Sequence, residues 1–249
     1  MSIKLADLKR TRPHGKALAE MARPLVGDRP LLMFSAGKDG VAAALYLLEH
    51  FGDCVPVATE FVPGMTFFRD AIAYYERHLF KRKIHVCPHP NFWKLQRTFV
   101  YQTPRRAAIL AAADLPAPEF DDILDLVKEQ EGLAPDLYTA EGTRAAENMG
   151  RGVTIKNSGP ILAHKRRWWP IWELSKTEVM DLLRRHDMPL SWEYDFLPSS
   201  FTGLHFQYVE RIRKHSPEDY QRILHFFPLF GAELYRHELA RNRKDRTDG

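Results

Sequence analysis

The chain has 249 residues, a formal net charge of +4, 45% hydrophobic and 27% charged residues, which is the balance of a globular protein and excludes a disordered or fibrous one. Its two cysteines, Cys54 and Cys87, exclude a disulfide framework and are too few for a usual iron–sulfur cluster. No run approaches the roughly 20 apolar residues of a membrane span and no secretory leader opens the chain, so a cytoplasmic protein with no membrane partner is expected.

The pI near 9.0 suits a phosphorylated substrate or a nucleic acid without requiring either. Residues 4–22 read as a helix interrupted at Pro13-His14-Gly15, carrying Lys9, Arg10 and Arg12 and packed on the outside of the domain. Leu31-Leu32-Met33-Phe34 reads as a buried parallel strand. Ser35-Ala36-Gly37-Lys38-Asp39-Gly40 then reads as a tight turn in which Gly37 and Gly40 reach angles closed to other residues. Asp39 is expected to cap the next helix, which Ala42 to Leu48 favours by propensity. A strand, a glycine turn, a lysine and a helix start together make an anion site, because free amides and the positive end of the helix dipole point at one spot, and a junction of the same make-up that binds nothing is equally compatible with the loop alone.

Val55 to Val62 reads as a second strand ending at Pro63-Gly64. Thr66 to Phe80 has helical periodicity, with Phe67, Ile72, Tyr75 and Leu79 near one face. Lys83 to Cys87 alternates like a third strand. This β-α-β-α-β order implies an α/β fold with a parallel sheet and right-handed crossovers. Ligands of such sheets sit outside the carboxyl ends of the strands, where Glu60 and the Pro63-Gly64 turn fall. A simple turn and a place beside the ligand are both compatible with Glu60. His85, Cys87 and His89 alternate as metal ligands could, but zinc sites draw on separate elements, and a strand face with a buried thiol is the simpler reading.

Asn91 to Leu110 interleaves Phe92, Trp93, Lys94, Arg97, Tyr101, Arg105 and Arg106. An amphipathic helix with a solvated basic face accounts for this, as does a surface that stacks bases and binds phosphates. Ala111 to Pro118 reads as a linker and Glu119 to Gln130 as an acidic-faced helix. Leu137 to Ala140 reads as a short strand, followed by Gly142, Arg144, Glu147 and Arg151. Two guanidiniums after a strand end can clamp phosphate or sulfate oxygens, and Glu147 can orient an arginine or hold a cation, while a surface salt-bridged turn is the simpler reading of the stretch taken alone. Ser175 and Glu178 form a capping box for a helix running to His186. Ser216 and Pro217 mark a further helix start, and the tail from Arg241 is charged.

Three of these stretches resemble a known family. Ser35 to Gly40 is similar to the S-G-G-K-D-S loop of the PP-loop ATP pyrophosphatases, departing at Ala36 and Gly40. Gly142 to Arg151 resembles the G-x-R-x-x-E-S-x-x-R segment of the phosphoadenylyl-sulfate (PAPS) reductase branch, with Asn148 in place of Ser. Arg166 to Val179, which includes Pro170-Ile171, resembles the same branch's basic-then-P-I-x-x-W/L-x-x-x-D/E-V segment. The resemblance spans residues 30–190 with the motifs in the family's order.

The resemblance implies an adenine nucleotide alpha hydrolase-like, Rossmann-like fold with helices on both faces of the sheet. It implies an N-terminal helical segment (1–28), a PP-loop domain (29–195) and a helical C-terminal extension (196–249). It further implies ATP and Mg²⁺ as cofactors and cleavage of ATP to AMP and pyrophosphate, with an oxygen of the substrate adenylylated. Ser35, Ala36, Gly37, Lys38, Asp39, Gly40, Glu60, Gly142 and Arg144 would bind the nucleotide. Lys38, Arg144 and Arg151 would be catalytic, and Asp39 and Glu147 would hold the metal. The partners would be an adenine nucleotide, an acceptor for which nucleic acid is one class, and a second copy or another protein. PAPS reductases carry a nucleophilic cysteine near the C-terminus. This chain has none after Cys87, so a sulfonucleotide reductase is the weaker alternative. A non-catalytic nucleotide-binding partner is the third, kept open by Gly40 and the Glu60 turn.

Overall fold

The structure, a computed structural model, describes residues 12–247. Residues 4–11 of the first expected helix, with Lys9 and Arg10, lie outside the described residues. From Gly15 onward that helix is α1 (Gly15–Val26), whose buried Leu18, Ala19, Ala22 and Val26 recur at helical spacing. Next come β1 (Leu31–Met33), α2 (Lys38–Phe51), β2 (Val55–Glu60), α3 (Thr66–Tyr75) with a π-helical turn over Glu76–Phe80, and β3 (His85–Pro88). The expected β-α-β-α-β order is therefore present. Asn91 to Leu110 forms two helices rather than one, α4 (Pro90–Gln96) and α5 (Pro104–Ala113), because Pro104 can start a helix but not continue one. The remaining elements are α6 (Phe120–Gln130), β4 (Thr139–Glu141), α7 (Met149–Ser158), β5 (Ile161–Leu162), β6 (Arg167–Trp168), α8 (Lys176–Arg185), α9 (Phe206–His215), α10 (Pro217–Phe226) and α11 (Phe230–Thr247).

The strands form one sheet in the order β3-β2-β1-β4-β6-β5. β1 runs parallel to β2 and β4, with Met33 opposite both Val57 and Glu141, and β4 runs parallel to β6. The last pair, β5 with β6, is antiparallel, so the expected parallel sheet carries one antiparallel edge. Only a short 3-10 turn over Ala163–Lys165 joins these two strands, and a parallel crossover needs roughly a dozen residues. Strands this short show no alternation in sequence, so β5 carried no signal.

Two compact units share the chain. The first comprises residues up to Thr59, Asp70–Cys87 and Leu124–Ser191. Its core is the sheet interior, with Leu31, Leu32, Val55, Val57, Ala58 and Ala140 buried, and Ala42, Ala43 and Ala44 of α2 fully buried. Phe34 meets Tyr75 and Phe80 edge to face, with ring centroids 5.3 and 4.9 Å apart. α1 is fastened by Tyr46, whose hydroxyl donates to the Gly15 carbonyl at 2.7 Å.

An ion cluster ties the amino ends of three strands. Arg29 before β1 and Arg82 before β3 both reach Glu131, at 2.5 and 2.6 Å, and both approach Asp53 before β2, at 3.3 and 3.6 Å. His85 Nε2 lies 2.7 Å from the same Glu131 carboxylate. His85 is thus committed here, whereas His89 caps α4 by accepting from the Asn91 amide at 3.0 Å. Burial, reinforced by Lys94, pushes His89 below its ordinary range, in keeping with a neutral, accepting ring.

The second unit comprises Glu60–Arg69, Pro88–Ile123 and Trp192–Gly249. The C-terminal helices do not form their own core but bury Tyr208, Val209, Ile212, Ile223, Phe227, Phe230 and Leu234 with Phe61, Val62, Met65, Phe67 and Phe92. Ser216 stands at the N-cap of α10 with Pro217 at its first position, as expected, but its hydroxyl donates to Asp219 at 2.8 Å instead of accepting from an amide. Asp219, fully buried, also accepts from the Thr66 amide and hydroxyl at 2.7 and 2.6 Å. A buried carboxylate is tolerated only when its oxygens are satisfied in this way.

Glu131 gives a stability prediction. Burial opposes its ionisation, but hydrogen bonds from Arg82, His85 and Arg29 outweigh burial and hold its pKa down at about 2. A depressed carboxylate stabilises the fold above its unfolded pKa and loses that contribution as pH falls through the folded value. Glu131→Gln should therefore lower unfolding free energy at pH 7 by ~1–3 kcal/mol. The gap between variant and wild type should close as pH drops from about 4.5 towards 2. Urea titrations across that range check this, and a gap independent of pH would refute it.

Candidate functional site

The site is built where the strand order reverses. β2 lies on one side of β1 and β4 on the other, and both β1 and β4 deliver a loop at their carboxyl ends. Such a switch point opens a crevice that ligands of α/β sheets use. The β1 loop carries Ser35 to Gly40 and the β4 loop carries Gly142 to Arg151.

The chain leaves β1 and reverses at Ala36, whose φ of 56° is left-handed. This corrects the expectation that Gly37 and Gly40 supply the unusual angles. Gly37 is extended, with φ −89°, and Gly40 lies inside α2. A non-glycine residue held in the left-handed region stores roughly 1 kcal/mol or more, and such strain gathers at ligand clamps. Gly40 answers a different demand, since a Cβ there would stand 2.9 Å from Ser35 Oγ and 3.1 Å from Ser35 N. The hydroxyl that the resembling loop carries at this position is thus replaced by room for Ser35.

Gly37 is the N-cap of α2, so Asp39 is not the cap but sits in the first turn. The first intrahelical bond runs from the Val41 amide to the Gly37 carbonyl at 2.9 Å. The amides of the preceding turn thus stand at the positive end of a 14-residue helix. The Asp39 carboxylate lies between two cations. One oxygen takes Lys38 Nζ at 2.6 Å and the other takes Arg144 Nε at 2.7 Å.

The β4 loop is pressed on this turn. A Cβ on Gly142 would lie 2.6 Å from the Asp39 carbonyl oxygen and 2.9 Å from the Gly40 amide nitrogen, so backbone meets backbone and no side chain fits. Arg144, with 5% of its side chain exposed, also donates from Nη1 to the Leu174 carbonyl at 3.3 Å. Two of its nitrogens, Nε and Nη1, thus hold the β4 loop to Asp39 and to the stretch before α8. Glu147 accepts from the Arg144 amide at 3.0 Å and is ion-paired with Arg151. Arg151 stays 39% exposed on α7, whose N-cap, Asn148, accepts from the Arg151 amide at 3.0 Å.

The two carboxylates implied as metal ligands do not fit that role as they stand. Asp39 is occupied by Lys38 and Arg144, Glu147 by Arg151 and an amide, and no cluster of three or more His, Cys, Asp or Glu suited to a metal occurs among the described residues. Glu60 is turned to its own backbone in the second unit. It accepts from the Gly64 and Met65 amides, closing the turn that the φ of 90° at Gly64 makes, and Arg69 Nε stands 3.8 Å away. Burial pushes the Glu60 carboxyl above its ordinary range despite these partners.

One residue at the sheet edge was missed in sequence. Glu141, the last residue of β4, accepts from Trp169 Nε1 at 3.0 Å and lies 3.3 Å from Arg167 Nε. It ties β4 to the Arg167-Trp168-Trp169 stretch, and its place directly before Gly142 was the available signal. The Ser175–Glu178 capping box is present with both bonds, at 3.2 and 2.7 Å, and it starts the helix just after Leu174, the residue that holds Arg144.

No protein-family profile matches the chain, and no curated protein matches it. Among solved structures it is similar to the U34-tRNA thiolase NcsA from Methanococcus maripaludis with its [4Fe-4S] cluster, at 14% identity and a TM-score of 0.42, covering 86% of this chain and 78% of that one. It is also similar to a PAPS reductase from Candida auris in a phosphate complex, at 11% identity and a TM-score of 0.47, covering 78% of this chain and 93% of that one.

The Gly142 contact gives the sharpest mutational test of this geometry. Gly142→Ala forces the Asp39–Gly40 backbone to move, and should cost about 1–3 kcal/mol in unfolding free energy, the scale of overpacking in a closed site. Gly150→Ala, where a Cβ meets only Asn148 Oδ1 at 3.4 Å, should cost much less. Equal effects of the two substitutions in denaturant unfolding would show that the loops are not in contact.

Proposed function

We propose that this chain is a PP-loop enzyme of the PAPS-reductase-like kind that binds ATP and splits it between the α and β phosphates. The observation that carries the reading is the seating of Gly142 on the Asp39–Gly40 backbone, which brings an arginine motif onto a strand–glycine–lysine–helix loop at the switch point of the sheet. In this reading the amides opening α2 and Lys38 receive the β and γ phosphates. An acceptor oxygen attacks the α phosphorus, the bond to the bridging oxygen breaks, and pyrophosphate leaves with the electron pair. The acceptor is then joined to AMP and activated for displacement.

Catalysis of this kind consists of positioning and charge neutralisation. Lys38, whose Nζ stands 2.6 Å from an Asp39 oxygen at the start of α2, is the cation that would receive an arriving phosphate. Arg144 remains in place, because its second bond and its burial hold it, and serves as a positioning residue for Asp39. Arg151 is the exposed guanidinium whose planar fork suits a phosphoryl or sulfate oxygen. Magnesium would enter with the nucleotide's own phosphates, since the carboxylates among the described residues do not assemble a site for it. The acceptor belongs to sulfur metabolism or nucleic-acid modification in this reading.

A sulfonucleotide reductase needs a reactive thiolate, and neither cysteine is suited to that role. Cys54 is fully buried, and burial pushes its thiol up to about 12. Burial also raises Cys87 above its ordinary value. Thiols held protonated are poor nucleophiles.

The test is calorimetry with ATP, followed by assay of AMP and pyrophosphate with trial acceptors. Lys38→Ala should weaken ATP binding by ~1–3 kcal/mol, or about 5- to 150-fold, the usual scale of a charge-assisted contact. Arg144→Lys, which keeps the charge but loses the fork, should lower turnover together with thermal stability. Unchanged ATP binding in Lys38→Ala would sink the proposal.

A further inference from the structure

The stretch from Pro88 to Ala113 contains no Asp or Glu and carries Lys94, Arg97, Arg105 and Arg106. In the second unit it folds as α4, a turn and α5, and its inner side is fixed by packing. Phe92 is buried, with its ring 5.2 Å from that of Phe226 and 6.0 Å from that of Phe227. Gln102 donates to the Phe226 carbonyl at 2.5 Å, and Ala107 is buried.

The outer side is unlike an ordinary solvated face. Trp93 is 37% exposed, Phe99 68% and Val100 46%, so an indole and a phenyl ring stand in water within a few residues of each other. Arg97 and Arg105 are exposed among them, and neither has an ion-pair partner among the described residues. Lys94 is balanced by Glu119 at 2.8 Å, and Arg106 donates to the His225 carbonyl at 3.2 Å, so two cations are held and two are uncompensated.

A partner for this surface must supply negative charge and flat faces together. An acidic peptide brings charge without faces, and a duplex brings charge with its base faces stacked away. An anionic membrane selects one continuous apolar helix face with cations beside it. Here Phe99 and Val100 stand on the turn between helices, with Arg97 before them and Arg105 after them. Single-stranded nucleic acid offers a regular run of phosphates and unstacked bases, which match guanidiniums and exposed rings. We propose that the α4–turn–α5 surface binds single-stranded nucleic acid, with Trp93 and Phe99 as stacking platforms and Arg97 and Arg105 as phosphate contacts. The inference goes beyond the nucleotide reading of the Ser35–Gly40 loop and does not depend on it.

The test uses the full chain without ATP. Fluorescence polarisation with labelled oligo-dT and oligo-U of roughly 20 nucleotides, at low and moderate salt, should show saturable binding that weakens as salt rises. Phe99→Ala and Trp93→Ala should each weaken binding roughly 5- to 100-fold. Arg97→Gln and Arg105→Gln should each flatten the slope of log affinity against log salt by about 0.7. Circular dichroism and the thermal midpoint accompany every variant. Phe99, the most exposed of these rings, keeps the test decisive if Trp93→Ala unfolds. Absence of binding, equal or tighter binding to a duplex of the same length, binding only to phosphatidylserine vesicles, or indifference to both Phe99→Ala and Arg97→Gln would overturn the inference. Lys38→Ala should leave oligonucleotide binding unchanged, so that failure of the ATP reading and failure of this one are told apart.

Discussion

The candidate site depends on a close approach of two stretches of backbone. Gly142 lies so near the Asp39 carbonyl and the Gly40 amide that a methyl group has no room, and the Arg144–Asp39 ion pair locks the same two loops from the side. Close packing makes such a contact rigid, because interiors yield little when volume is added. The charged groups follow from it. Asp39 can stand between Lys38 and Arg144 only because the β4 loop is pressed against the start of α2. Arg144 is held in turn by the Leu174 carbonyl, just before the helix that Ser175 and Glu178 cap.

The charges at the two ends of the strands are arranged differently. At the amino ends, Arg29, Arg82 and His85 converge on Glu131, and Asp53 adds a second carboxylate. Those partners satisfy one another and leave a structural staple. At the carboxyl ends, Asp39 shares itself between a buried arginine and a more exposed lysine. Function in such sheets gathers at the carboxyl edge for the same reason that the loops there can vary, while the strands hold them in register.

The second unit shows how a chain uses long-range burial to join segments far apart in sequence. Thr66 and Asp219 are linked by two hydrogen bonds, and Phe92 packs beside Phe226 and Phe227. Aromatic rings supply about half of this core, and edge-to-face contacts orient them beyond what area alone gives. The turn that Glu60 closes belongs to this unit, which is why its carboxylate serves the Gly64 and Met65 amides.

Much was legible in the sequence because local chemistry decided it. The β-α-β-α-β order, the strand before Gly142, the Ser175–Glu178 box and the start of α10 at Pro217 follow from apolar periodicity, capping and the fixed geometry of proline. The residues brought together at the switch point, Lys38, Asp39, Gly142, Arg144, Glu147 and Arg151, were also named by their motifs. What they do to one another was not. That Ala36 takes the left-handed angle, that Gly40 yields space to Ser35, and that Asp39 is a bridge instead of a cap depend on where the β4 loop lands. The same holds for the antiparallel β5–β6 edge, whose strands are too short to leave a pattern, and for the C-terminal helices, which have no complete core of their own. Periodicity and capping act between residues a few positions apart and are written along the chain. Close approach, shared charge and a core assembled from distant segments are set by distances that exist only once the chain has folded.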